Sequence, residues 1–182
     1  MPSHVALLRG INVNGQRMIP MANLREMAAA LGHGRVETYI QTGNLLFDSP
    51  MGPDAVRRQL EHAILRTFGF EVAVAVRTPG EIARAYADCP YQPGDGEVVY
   101  VAFAITPPET ARLAAAAAVG PGSGDVCMVT PTEVYVLYRR GVHASPLSNA
   151  YFERALGVPM TSRNLRTVAK LSDLATRHAS GG

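Results

Sequence analysis

Hydrophobic positions along this chain fall into short blocks with two different spacings. Residues 5–8, Val-Ala-Leu-Leu, form a continuous apolar run that stops at Gly10, the pattern of a buried strand. After a polar loop, Pro20 opens a helix through Leu24, Met27, Ala28 and Leu31, spaced three and four apart. Proline suits a first helical turn, and Gly32 and Gly34 end the pattern. Residues 35–41 then alternate, with Val36, Thr38 and Ile40 set against Glu37, Tyr39 and Gln41, the period of a half-buried strand. Thr42-Gly43-Asn44 is turn chemistry, and Leu45-Leu46-Phe47 returns as the second arm of a hairpin. A helix comes next over 53–68, with Val56, Leu60, Ile64, Leu65 and Phe68 apolar and Gly69 as its stop. Residues 72–76 read as a further strand.

This order is β-α-β-β-α-β, the ferredoxin-like pattern. The second half repeats it. A connecting helix over 81–88 and a loop over 90–96 lead into a strand over 97–105 and an alanine-rich helix over 107–119. A glycine-rich linker at 120–124 precedes a hairpin, 125–130 and 133–139, turning through Pro131-Thr132. A helix over 148–156, a short extended piece at 158–160 and a last helix from about 163 to 178 complete the chain. The expected fold class is therefore α+β, two tandem ferredoxin-like (βαββαβ) units with a C-terminal helix. The expected domains are 1–78 and 79–182.

Strand direction brings two segments together. In such a unit the loop after the first strand and the turn after the second strand lie at the same end of the sheet. Arg9, Gly10, Asn12, Asn14 and Arg17 are thereby placed near Gln41, Thr42, Gly43 and Asn44. Glycines permit close backbone approach and positive φ. The amides offer donors and acceptors, and Arg9 offers a fork for carboxylate or phosphate. The alternative is ordinary turn chemistry with Arg9 paired to Glu26 or Glu37.

The last helix breaks a local rule. Thr161-Ser162 reads as its N-cap pair, yet the first turn holds Arg163 and Arg166, where cations oppose the helix dipole. Arg163, Arg166, Lys170 and Arg177 fall in one arc of the helix, and with Asn164 they make a candidate anion site. A solvated basic face is the competing account.

Composition narrows the classes. Hydrophobic residues make up 47% and charged residues 18%, a globular balance. A net charge of +2 is too small to grip nucleic acid through overall charge. The start of the chain reads without a secretory signal, and no apolar run reaches the roughly 20 residues of a membrane span. A cytoplasmic protein with no membrane partner is the expectation. Cys89 and Cys127 lack zinc spacing and read as buried, reduced thiols. The five histidines, His4, His33, His62, His143 and His178, are scattered and read as surface or capping residues. No phosphate-binding or dinucleotide loop and no nucleophile elbow is present, so neither a metal nor a cofactor is implied. The third strand, Asn44 to Asp48, carries one aromatic, short of an RNA-recognition platform.

Several stretches resemble a known family. These are Ala6-Leu7-Leu8-Arg9-Gly10-Ile11-Asn12-Val13, Ile19-Pro20-Met21 with Leu24-Arg25, and Thr38-Tyr39-Ile40-Gln41-Thr42-Gly43-Asn44. Thr161-Ser162-Arg163-Asn164 with Thr167 and Lys170-Leu171 belongs with them. Together they resemble the bacterial family called domain of unknown function 1697 (DUF1697). The resemblance spans nearly the whole chain and implies two ferredoxin-like units and no particular activity. Departures from the family pattern are Asn14 in place of a common Gly, Leu165 in place of a common Trp, and Arg166 in place of a common Asn.

The functional expectation is a binding module for a small anionic, phosphate- or carboxylate-bearing ligand. Its contacts would be Arg9, Gly10, Asn12, Gln41, Gly43 and Asn44, with Arg163, Asn164 and Lys170 from the last helix. An enzyme using Lys170 or Tyr39 as acid or base remains open, and no catalytic residue is assigned. The alternative is a nucleic-acid or protein interaction module.

Overall fold

The computed structural model describes residues 1–118 and 124–181. It contains two four-stranded antiparallel sheets, each with a ferredoxin-like order. The chain divides into two compact units, Met1–Arg84 with Lys170–Gly182, and Ala85–Ala169.

In the first unit, β1 (Ser3–Leu8), α1 (Met21–Ala30), β2 (Gly34–Tyr39), β3 (Asn44–Asp48), α2 (Pro53–Phe68) and β4 (Val74–Arg77) succeed one another. The sheet order is β2-β3-β1-β4. Val5 pairs with Leu46 and Arg77, which fixes the register of β1 against both of its neighbours, β3 and β4. Ala6, Leu8, Leu45, Phe47, Val74 and Val76 enter one core with Leu24 and Met27 of α1 and Val56, Leu60 and Ile64 of α2. Each fully buried side chain of this size stabilises the fold by about 1.5–3 kcal/mol. Val5 and Leu7, on the opposite face of β1, are also fully buried, as a continuous apolar run requires. α2 keeps the predicted bounds because both ends are marked: Pro53 starts it and Gly69 closes it at φ 82°. Pro20 stands at the N-cap of α1, one position before the helix.

The second unit repeats the order. After α3 (Pro79–Ala87) come β5 (Val98–Ala104), α4 (Thr110–Ala117), β6 (Val126–Val129), β7 (Glu133–Tyr138), α5 (Asn149–Leu156) and β8 (Met160–Asn164). Its sheet order is β6-β7-β5-β8. Ala102, Ala104, Val134, Val136 and Tyr138 pack with Phe152, Leu156 and Met160. The Tyr138 hydroxyl donates to Leu147 O at 2.7 Å. A 3-10 turn, Val142–Ala144, precedes α5, and α6 (Leu165–Ser180) ends the chain. Among the residues of the expected glycine-rich linker, 120–123 lie outside the described residues.

Two expectations need correction. Of the extended piece at 158–160 only Met160 is in a strand, β8, which starts there and continues to Asn164. Thr161 and Arg163 therefore pair with Phe103 and Val101 of β5 and do not begin a helix. Pairing with a distant strand overrides a local helix-start signal. Asn164 supplies a helix-start contact instead: its Oδ1 accepts the Arg166 N–H at 2.9 Å. The histidines are the second correction. His4, His33 and His178 are buried, at 3%, 6% and 7% exposure.

The rings of His4 and His33 flank Phe47, at centroid distances of 5.7 and 4.6 Å. Burial lowers the pKa of both histidines below 6.5; for His4 the backbone of Ser49 and Met51 and the charge of Asp48 oppose it in part. A histidine whose folded pKa is lowered contributes fully above its unfolded value, and the contribution is lost as pH falls through the folded value. The denaturation midpoint is therefore expected to drop between about pH 7.5 and pH 5. Urea titrations at the two pH values check this, and His33→Phe should show a smaller drop than the parent.

Candidate functional site

β1 and β2 both run antiparallel to β3, so both end at the same edge of the first sheet. The loop after β1 and the turn after β2 meet there. Leu8 N–H donates to Gly43 O at 2.8 Å, and Arg9 N–H donates to Ala73 O at 2.9 Å. Gly43 has no room for a side chain. A Cβ there would lie 2.7 Å from Ile11 Cδ1 and 2.8 Å from Leu8 Cβ, and φ is +80°.

Asn12 binds the two segments together. Its Oδ1 accepts the Ile19 N–H at 2.7 Å, and its Nδ2 donates to Ile19 O at 3.0 Å and Gln41 O at 2.7 Å. The loop also closes on itself, with Asn12 N–H donating to Arg17 O and Gln16 N–H to Val13 O. Asn44 is fully buried, and its Nδ2 donates to Tyr39 O at 2.9 Å and Thr42 Oγ1 at 3.0 Å. Arg25 of α1 leans on the same hairpin, donating to Thr38 Oγ1 at 2.6 Å. The sequence-predicted residues Arg9, Gly10, Asn12, Gln41, Gly43 and Asn44 are thus brought to one end. Asn12 and Asn44 use their amides on the backbone, while Gly10 and Gln41 are exposed and Arg9 is half-buried.

The backbone here is held in a rare conformation. Gly10, Asn12, Asn14, Gly15 and Arg17 in the loop, and Ile40 and Gly43 in the turn, all have positive φ. Glycine and asparagine adopt it readily, and isoleucine does not. Val13, Met18 and Ile40 are exposed at 54%, 56% and 44%. Beside the loop, a cleft of about 370 Å³ is lined by Glu61, His62, Leu65, Glu71, Val72 and Ala73. Ala73 is the residue that receives the Arg9 N–H.

Arg163, Asn164 and Lys170 have different surroundings. Arg163 lies in β8, 6% exposed, with Nη1 donating to Thr161 Oγ1 at 2.8 Å and Ser162 O at 2.9 Å. Burial lowers its pKa to about 10, so it is still charged at neutral pH. It is not part of a cationic stripe on α6, which corrects the arc drawn from helical spacing. Lys170 is exposed on α6.

A polar network that sequence reasoning missed lies at the opposite end of β3. Arg35 forks onto Asp48, Nε to Oδ2 at 2.6 Å and Nη2 to Oδ1 at 3.1 Å. Ser3 Oγ donates to Asp48 Oδ1 at 2.8 Å, and Arg35 Nη1 donates to His178 O at 2.7 Å. His178 Nε2 lies 3.3 Å from Asp48 Oδ1, and its Nδ1 lies 3.6 Å from Glu37 Oε1. Burial pushes the Asp48 carboxyl up, but Arg35 and Ser3 outweigh it and hold the pKa below the usual range. The signal was present in the hairpin register, which sets Gly34 opposite Asp48 and so brings Arg35 beside it. Cys89 and Cys127 are free, half-buried thiols whose pKa values burial raises. Among the described residues, no helix is long and apolar enough to cross a membrane.

Two ferredoxin-like units in tandem, with a rigid polar loop end on the first, define the class of protein. The chain belongs to the family described as "Protein of unknown function (DUF1697)", whose model matches residues 1–135. In fold it is similar to the conserved bacterial protein SP0830 from Streptococcus pneumoniae, with a TM-score of 0.73 and 18% identity. That likeness covers 96% of this chain and 98% of the other. Among curated proteins, none matches the chain.

Removing the Asn12 side chain strands the Ile19 N–H, in a residue that is fully buried. Asn12→Ala is expected to cost about 2 kcal/mol. It should also speed amide hydrogen exchange across the loop 12–19 well before the core exchanges. Denaturant titration and hydrogen-exchange mass spectrometry give the two readouts.

Proposed function

We propose that the chain is a binding module for an anionic, phosphate- or carboxylate-bearing ligand at the loop end of its first sheet. Arg9 forks onto the anion, the exposed backbone at Gly10 approaches it closely, and the Gln41 amide orients the rest of the ligand. Asn12, Gly43 and Asn44 act from behind, by holding the loop and turn in place. The observation that carries this reading is the three-bond clamp of Asn12, which holds the exposed stretch 13–18 between the core residues Ile11 and Ile19. A preorganised loop loses little entropy when a ligand binds. Charge supports the sign of the ligand. Residues 9–25 and 38–47 contain Arg9, Arg17 and Arg25 and neither Asp nor Glu.

A thermal-shift series with inorganic phosphate, citrate and nucleoside monophosphates tests the reading. At least one anion is expected to raise Tm in a concentration-dependent way. In NMR spectra the same anion should move the amide signals of residues 10–17 and 41–43. Arg9→Ala should lose most of that response. A flat response to every anion, or an Arg9→Ala variant that responds like the parent, overturns the reading.

A further inference from the structure

Anion recognition leaves one property of the loop end unexplained. Ile40 is a β-branched residue at φ 49°, and its side chain is 44% exposed. A left-handed conformation is strained for a branched side chain, and core burial does not offset the strain here. Most other positive-φ positions nearby are glycine or asparagine, types that tolerate the conformation. Val13 and Met18 add two further apolar side chains, both more than half exposed. Among the described residues, seven large hydrophobic side chains stand out as exposed, and three of them are these.

One scaffold carries all three. The Asn12 amide bonds to Ile19, the neighbour of Met18, and to Gln41, the neighbour of Ile40. Val13 comes directly after Asn12 and closes onto Gln16. Grouped exposed hydrophobics on a rigid frame mark an interaction surface. Within the two segments themselves, residues 9–25 and 38–47, the charged side chains are Arg9, Arg17 and Arg25, and the carboxylates Glu61 and Glu71 lie in the cleft next to them. An apolar anchor that shares its loop with arginines is complementary to a chain that alternates apolar and acidic groups. A free phosphate uses only half of this surface.

We propose that the loop end docks an acidic peptide segment of a partner protein. An apolar side chain of that segment packs against Val13, Met18 and Ile40, and its carboxylates pair with Arg9 and Arg17. The inference rests on the anion-binding reading and names the partner of that same site.

Fluorescence anisotropy with two labelled peptides of equal length tests it, one of glutamates alone and one with leucines interspersed among the glutamates. The leucine-bearing peptide should bind about tenfold more tightly, with the gain lost in Met18→Ser and in Ile40→Asn. Asn tolerates the left-handed position, so Ile40→Asn should also raise Tm by about 2 °C, which separates lost contact from lost folding. Equal affinity for both peptides, abolished by Arg9→Ala, overturns the peptide inference and leaves the anion reading standing. So does a phosphate response with no peptide binding. Silence toward both peptides and toward phosphate removes the anion reading itself. A leucine gain that survives both substitutions, or tighter binding of single-stranded DNA than of either peptide, overturns the docking surface.

Discussion

A central strand has no free edge, and at its end the neighbouring strands dictate the path of the chain. β1 lies between β3 and β4, so the last amides of the strand are paired on both sides. Leu8 binds Gly43 and Arg9 binds Ala73, which draws the hairpin turn and the approach to β4 onto the same end. That constraint leaves Gly43 no space for a Cβ and forces the chain after Arg9 to leave sideways through left-handed backbone. The Asn12 clamp, the grouped arginines and the three uncovered hydrophobics all stem from this exit.

The fold was legible where the signals are local. α2 carries its own start and stop, and both hairpins announce themselves by strand-like runs broken at turn residues. Legibility failed where a distant partner decided the outcome. Thr161-Ser162-Arg163-Asn164 has a helix-start composition, and β5 makes a strand of it. Nothing within the four residues announces that pairing.

At the candidate site, topology predicted the meeting of loop and turn, because strand direction alone requires it. The roles within the meeting were less readable. A side-chain amide has the same donors and acceptors whether it serves a ligand or its own backbone, and Asn12 and Asn44 serve the backbone. The buried histidines were hidden for a related reason. His4 stands at the polar end of an apolar run, and it is buried beside the ring of Phe47.

The first unit is not continuous in sequence, and this bears on how the protein is made. Its closing segment begins at Lys170, and the bond from Arg35 to His178 spans 143 residues. Contacts of such separation form late, since the intervening chain must first be brought together. On the ribosome the second unit has all its residues before the first has its last helix turns. Arg35 must wait for the carbonyl of His178, so the first-made part of the chain is the last to be finished.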